Sequence, residues 1–380
     1  MLRVGITHGD INGISYEVIL KALADDRITE LCTPVIFGSP KLVAYYKKTL
    51  GIDTFQANQI SSPSQAKDGA INIYNISDSE LKVDMGRPTP ESGHAALLAL
   101  ESAVEALKKG EIDVLVTAPI NKNAIHGADF PFNGHTEYLQ ARLCPVQESA
   151  DTEEEDEKTV QQERDRKEAL MILFADTLRV ALVTTHLPLA EVPKAITKDL
   201  VMRRLRQFND SLILDFGLTR PRIAVLSLNP HAGDNGLLGN EEEEIIKPAI
   251  AEAFDAGIMA FGPYPADGLF GLGDYTKFDG ILAMYHDQGL APFKLAAGDS
   301  GVNFTAGLPY VRTSPDHGTG YDIAGKNIAS PESMRQAIYA AIDIYRCRAS
   351  LMAAGTRPLR KQYVERGADK TVDLSKDTDL

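Results

Sequence analysis

Three histidines, His186, His231 and His286, each stand just past a short apolar run. RVALVTT precedes His186, PRIAVLSLN leads into Pro230-His231-Ala232-Gly233-Asp234, and GILAM leads into Tyr285-His286-Asp287-Gln288-Gly289. Short aliphatic runs that stop abruptly on polar residues and glycine have the pattern of buried strands, which deliver side chains to a cleft at their ends. Neutral imidazoles are common ligands of zinc, cobalt and similar ions, and three on one ion leave open positions, as a catalytic site requires. Singly, each histidine reads as a satisfied loop residue; at three equivalent strand ends, the metal reading rises level with that one. Asp234, Asp267 and Asp287 could act as further ligands or as acid–base groups. Lys294, Asn303 and Arg312 could hold an anionic substrate, since a guanidinium donates two parallel hydrogen bonds to a phosphate or carboxylate. His135 and Thr136, in FPFNGHTEYLQARL, stand at a glycine turn that opens a helix. There they could bind an anion through a ring nitrogen, a hydroxyl and free backbone N–H groups, or Thr136 could simply cap the helix.

These residues need elements to carry them. LRVGITHGDINGISYEVILKAL reads as strand, Gly-rich turn and helix, and the turn lacks the spacing of a dinucleotide fingerprint. PVIFGSP and a helix from Lys41 form a second such unit. TPESGHAALLALESAVEALKK, Thr89 to Lys109, has apolar residues at helical spacing and is stopped by Gly110; His94 in its first turn reads as structural. The strand IDVLVTAPI follows it and ends on Asn121-Lys122-Asn123. Strand–helix alternation of this kind implies a mostly parallel α/β sheet covered on both faces. FGPYPADGLF, which contains Asp267, reads as a turn-rich loop, and a last helix is expected from about Pro331 to Met352.

Composition narrows the function. The chain has 380 residues, long enough for two domains around one cleft, and a net charge of −14, which argues against nucleic acid as a partner. The segment 147–168 is low in apolar residues and rich in Glu, and reads as a solvated surface insertion. Cys32, Cys144 and Cys347 are too few and too scattered for a disulfide framework or a thiolate zinc site, and fit free thiols in a reducing cytoplasm. No apolar run approaches the ~18 residues that a membrane span needs, and no secretory leader is evident, so a cytoplasmic protein is expected.

Six segments, GHTEYL, THLPL, NPHAGDNG, GPYPADGLF, YHDQGLAPFK and VNFTAGLPYVRTSPDHGTGYDIAGK, occur in the order found in the 4-hydroxythreonine-4-phosphate dehydrogenase family of vitamin B6 synthesis, which the chain resembles from Met1 to about Met352. The last segment also resembles the coenzyme loop of isocitrate and isopropylmalate dehydrogenases, which bind NAD without a Rossmann fingerprint. The resemblance implies a three-layer α/β/α fold with two domains around a cleft: residues 1–130 with 300–355, and 131–299, followed by a tail at 356–380. It implies a divalent metal (Zn, Co or Mg) on His186, His231 and His286, and substrate contacts from His135, Thr136, Lys294, Asn303 and Arg312. NAD would lie near His317, Gly318, Thr319 and Asp322, with Asp267, Asp287 and Lys294 as candidate catalytic groups. It implies a homodimer whose sites take ligands from both subunits, with His286 expected to serve the partner subunit. The implied reaction is oxidation of 4-phosphooxy-L-threonine and decarboxylation to 3-amino-2-oxopropyl phosphate; the alternative is a dehydrogenase of threonate or erythronate 4-phosphate. An acyltransferase on a related fold would not need the histidines, and a non-catalytic binding module would leave the coenzyme-like loop unexplained. The family usually has Pro where His8, Ile11 and Tyr16 stand here.

Overall fold

Side chains along a strand alternate between two faces, and most strands of this chain carry apolar residues on both. The computed structural model describes residues 1–380 apart from 26, 53, 78–80, 127–129, 133, 145–167 and 357–380. The segment 147–168 and the tail 356–380 therefore lie outside the described residues, save 168 and 356. Twelve strands form one sheet: β1 (Arg3–Thr7), β2 (Thr33–Gly38), β3 (Asn58–Ile60), β4 (Asn72–Asn75), β5 (Val114–Thr117), β6 (Leu170–Ala175), β7 (Leu178–Leu182), β8 (Arg222–Leu226), β9 (Met259–Tyr264), β10 (Gly280–Ala283), β11 (Val302–Ala306) and β12 (Val311–Pro315). Their order is β3-β4-β2-β1-β5-β12-β11-β6-β7-β10-β8-β9. Both flanks pair in parallel, as the alternation of elements implies. The centre is antiparallel, where β11 meets β12 and β6 and where β6 meets β7. There the cause is local: β6 and β7 are joined by Asp176 and Thr177 alone, with Asp176 at φ 47°, and so short a link makes a hairpin, not a crossover.

One face of the sheet holds a continuous core. Val4, Ile6, Val116, Ile172, Val225, Leu282 and Phe304 all belong to it, under helices Ser15–Ala22, Lys198–Leu214 and Glu332–Thr356. On the other face the core is split. Phe37 and Leu115 pack with helices Pro90–Lys108 and His135–Leu143, whereas Leu173, Val180 and Ile281 pack with helix His286–Ala297. Between the two pieces the middle strands turn polar side chains outward: Thr117 from β5, Asn303 and Thr305 from β11, Arg312 and Ser314 from β12. The period-two pattern of VNFTA and VRTSP does this, alternating one apolar or sheet-bonded residue with one that faces the gap. FGPYPADGLF, expected as a loop, instead forms the end of β9 and a short helix, Ala266–Gly271. No helix among the described residues is long and apolar enough to cross a membrane.

Candidate functional site

The gap in the second face is a cleft of about 290 Å³. Its floor is built round Arg312, which is 2% exposed. The guanidinium donates to Thr117 Oγ1 through Nε at 3.0 Å and to Thr305 Oγ1 through Nη1 at 2.9 Å, and no carboxylate among the described residues pairs with it. Burial pulls its pKa down from 12.5 to about 9, and the charge of Glu137 offsets only part of that. A desolvated guanidinium without a counter-ion is a receptor for an anion.

One wall is the N-terminus of helix His135–Leu143, where His135, Thr136 and Glu137 all line the cleft. His135 Nε2 is buried without a partner, and its pKa lies well below 6.5, first because of burial and then because of the charges on Arg312 and Lys122. Thr136 does not cap the helix, since Gly134 is the N-cap and no side chain caps it. Lys122 enters from the short helix Lys122–Ile125, capped by Asn121 Oδ1 on Ala124 N at 2.9 Å. That helix is held hard against helix Pro90–Lys108: a Cβ on Gly93 would stand 2.0 Å from the Ala124 carbonyl oxygen.

The opposite wall carries His186 and His286, whose ring centroids are 5.8 Å apart. His286 opens helix His286–Ala297, and its Nδ1 lies 2.7 Å from Asp287 Oδ1. With the Nδ1 proton donated to that carboxylate, Nε2 is left as a lone pair for a ligand. Burial, then the charge of Lys122, lowers the pKa of His186, favouring the neutral ring that a metal needs. Lys294, on the same helix, donates to the Asp316 carbonyl at 3.0 Å and pairs with its carboxylate at 3.3 Å.

His231 lies elsewhere. β7, β10 and β8 are adjacent and parallel, so the three histidines do leave one edge of three neighbouring strands. But residues 231–235 all adopt left-handed backbone, with φ of 53°, 53°, 78°, 43° and 54°, and His231 is exposed and outside the cleft. Such a turn costs about 1–2 kcal/mol per non-glycine residue and persists only when its surroundings impose it. Buried Glu242 braces the chain just before this turn, accepting from Leu228 N at 2.8 Å and Asn229 N at 2.7 Å. Among the described residues no group of three ligating side chains forms within the chain. The expectation that His286 is the histidine set apart does not match this placement: His286 stands with His186, and His231 is the one apart.

The loop after β12 closes the cleft with His317 and Gly318. His317 Nδ1 is 3.0 Å from the Gly318 carbonyl, and Nε2 is buried without a partner. Thr319 and Asp322 fall outside the cleft lining. Instead, Thr319 O accepts from Ile14 N at 2.9 Å, and a Cβ on Gly13 would lie 2.3 Å from it, so this loop and the first Gly-rich loop are packed backbone to backbone. Buried Asp10 ties them together, accepting from Asn12 N at 2.8 Å, Ser92 Oγ at 3.0 Å and Tyr321 Oη at 2.7 Å. Asp267 and Asp287 are exposed and outside the lining, and Asp287 touches the site only through His286. Sequence reasoning gave no site role to Lys122, Glu137 or Asp316, although Lys122 follows a strand, Glu137 follows Thr136 and Asp316 precedes His317.

Comparisons with known proteins bear on the chain's family and fold. The family profile described as pyridoxal phosphate biosynthetic protein PdxA matches residues 30–341. A 4-hydroxythreonine-4-phosphate dehydrogenase of Bacteroides thetaiotaomicron is 54% identical over 370 residues, covering 97% of this chain and 95% of its own. One from Sulfurihydrogenibium is 41% identical, covering 92% of this chain and all of its own. A solved structure from Klebsiella pneumoniae, titled 4-hydroxythreonine-4-phosphate dehydrogenase, superposes with a TM-score of 0.71 at 32% identity, covering 90% of this chain and 98% of its own. With its sequence and fold matched over nine-tenths of its length, this chain belongs to the PdxA family of pyridoxal phosphate biosynthesis.

Proposed function

We propose that the protein is a 4-hydroxythreonine-4-phosphate dehydrogenase, oxidising 4-phosphooxy-L-threonine with NAD and a divalent metal, with decarboxylation to 3-amino-2-oxopropyl phosphate. The observation that carries this reading is the buried Arg312, a cation without a counter-ion among the described residues, at the floor of a cleft that also holds His186 and His286. Arg312, the unpartnered His135 Nε2, Thr136 and the helix N-terminus would hold the phosphate; Asn303, whose Oδ1 is buried and unpartnered, would take a polar group of the substrate. Lys294 would meet the substrate's other anionic group, steadied by Asp316. Fixing both ends aligns the hydroxyl-bearing carbon with the histidine wall.

His186 and His286 fit a metal in chemistry and spacing, but two imidazoles are an incomplete set. In this reading the third is His231 of the partner subunit, which the left-handed turn presents outward. Exposed leucines flank these groups: Leu187 and Leu189 follow His186, Leu237 and Leu238 follow the turn, and Leu295 follows Lys294. Apolar side chains exposed around polar site residues suit an interface between two copies. A divalent ion bound there would lower the pKa of the substrate hydroxyl. NAD would supply the hydride acceptor, held near His317 and Gly318, with Asp322 at the loop's exposed side. Residues 1–130 with 300–355, and 131–299, would be the two units around the cleft. The alternative, a sugar-acid phosphate dehydrogenase, finds a relative in a provisionally named D-threonate 4-phosphate dehydrogenase of Oceanobacillus iheyensis, 37% identical over 350 residues.

Two experiments test this. Absorbance of NADH should rise with 4-phosphooxy-L-threonine, stop with chelator and return with Zn, Co or Mg; turnover only with threonate or erythronate 4-phosphate would establish the alternative. Separately, His186→Ala and His231→Ala proteins should each be inactive, and refolded together they should recover about a quarter of wild-type activity, because half the dimers then carry one intact site of two. No recovery on mixing would refute a site shared between subunits.

A further inference from the structure

The segment after β12, 316–326, contains neither strand nor helix and has glycine at 318, 320 and 325, so its shape depends on what it packs against. Toward the cleft it presents Gly318 and His317, whose Nε2 is buried without a partner. A desolvated ring nitrogen left open there suits a polar ligand, and so fits NAD at this loop. Away from the cleft, the segment lies on the first Gly-rich loop. The backbones meet closely: Ile14 N donates to Thr319 O, and a Cβ on Gly320, at φ 54°, would stand 2.9 Å from Ile14 Cδ1. A side-chain bond also joins them, from Tyr321 Oη to Asp10 Oδ2 at 2.7 Å. Burial, then this bond, pushes the pKa of the phenol up from 10, so it stays a donor. Asp10 is fully buried, outside the cleft lining, and paired with no cation among the described residues. It is fixed without Tyr321: its N donates to Pro119 O at 2.8 Å, just past β5, and its Oδ1 accepts from Asn12 N at 2.8 Å. Gly9, at φ 63°, permits that approach, since a Cβ there would stand 2.4 Å from Pro119 O. A third donor, Ser92 Oγ at 3.0 Å, comes from the capping box of helix Pro90–Lys108.

We propose that Asp10 is a positioning residue for the coenzyme: by fixing the Tyr321 hydroxyl it holds residues 317–322 in the shape that receives NAD, and it does so from outside the cleft. This rests on the proposed dehydrogenase reading and deepens it. A phenol bonded to a buried carboxylate makes one of the stronger hydrogen bonds available to a neutral side chain. Without that anchor, a glycine-rich loop samples further shapes, and NAD binds only the fraction of molecules in the receptive one. Apparent affinity falls by that fraction, so a loop in place one-tenth of the time binds about 10-fold more weakly. The substrate's phosphate, placed on Arg312, His135 and Thr136, does not depend on this loop. Coenzyme and substrate are therefore expected to respond differently to its release.

The test is Tyr321→Phe, which removes one hydroxyl and keeps the ring, read by the fluorescence of NADH titrated with the full chain. Expected is a rise of about 10-fold in the Kd for NADH, with calorimetric binding of 4-phosphooxy-L-threonine, without coenzyme, within about 2-fold of wild type. Turnover should show the same split, with KM for NAD raised and kcat at saturating NAD within about 3-fold. Asp10→Asn, which keeps the shape and weakens the same bond, should raise the Kd for NADH by about 3-fold or more, and the double variant should be no weaker than the sum of its parts. Ser92→Ala takes another donor from the same carboxylate but leaves the loop's anchor; it should lower the melting temperature and leave the Kd for NADH within about 2-fold. An unchanged NADH affinity in Tyr321→Phe and Asp10→Asn, equal weakening of coenzyme and substrate, or an equal effect from Ser92→Ala would each overturn the proposal. A wild type that binds no NADH would remove the dehydrogenase reading itself, an outcome distinct from NADH binding that ignores these substitutions.

Discussion

Replacing Arg312 by Met is expected to lower kcat/KM by about 10²- to 10³-fold while raising the melting temperature by a few degrees in buffer free of multivalent anions. The two effects share one cause. Arg312 is buried beneath the cleft, hydrogen-bonded to the hydroxyls of Thr117 and Thr305, and paired with no carboxylate among the described residues. Keeping a charge in that setting costs several kcal/mol of desolvation, which the empty protein bears and a bound anion relieves. Met fills similar volume without the charge, so the free protein gains stability and the bound state loses a forked donor. Inorganic phosphate should therefore raise the melting temperature of the wild type and leave the variant unmoved. A variant within 5-fold of wild-type kcat/KM, or a wild type indifferent to phosphate, would show that Arg312 is a structural cation.

The second large effect concerns acid. His8 is fully buried, and burial lowers its pKa from 6.5 to about 4. Its Nε2–H donates to the Ala95 carbonyl at 3.0 Å, so Nδ1 accepts from the Tyr16 hydroxyl at 2.9 Å, and Tyr16 Oη in turn accepts from Ser39 N at 3.0 Å. Tyr16 stacks on Tyr46 with centroids 5.1 Å apart, and Tyr46 donates to the Ile11 carbonyl. The ring is thus fixed as one neutral tautomer. In the unfolded chain it takes a proton below pH 6.5; in the folded chain it resists until about pH 4. Stability is then full above pH 6.5 and falls as pH drops from 6.5 to 4, by about 3 kcal/mol. Denaturant melts across that window should show the loss in wild type, and His8→Gln should remove most of that slope while lowering stability at pH 7. An identical slope in the variant would mean other groups carry it. The same network explains how this chain does without the prolines usual at positions 8, 11 and 16. Prolines would stiffen the loop through fixed φ, whereas here a ring, two hydroxyls and two carbonyls hold it, bracing the backbone that packs on Thr319.

The strands β1, β2, β5, β7, β8 and β10, the helix from Thr89 and several residues of the cleft were legible in the linear chain because they rest on local rules; β3, β4, β9, β11 and β12 were not. Apolar runs ending on histidine marked a common sheet edge, whereas the alternation that puts Asn303 and Arg312 on one face emerged only once Val302–Ala306 and Val311–Pro315 were seen as strands. The antiparallel centre was less visible, since it depends on whether Asp176 and Thr177 turn back or cross over, a choice made by the left-handed Asp176. What the sequence by itself determined was the period of each element and the residue types at its ends. The tertiary structure alone decided which ends meet. Strand order brings β5, β12, β11 and β6 side by side and so places Lys122 and Glu137 opposite His186, and it buries Arg312 with no paired carboxylate among the described residues. It also turns His231 away from the other two histidines, through the run of left-handed backbone at residues 231–235. Desolvation and long-range proximity are properties of the packed chain, and spacing along the sequence carries neither.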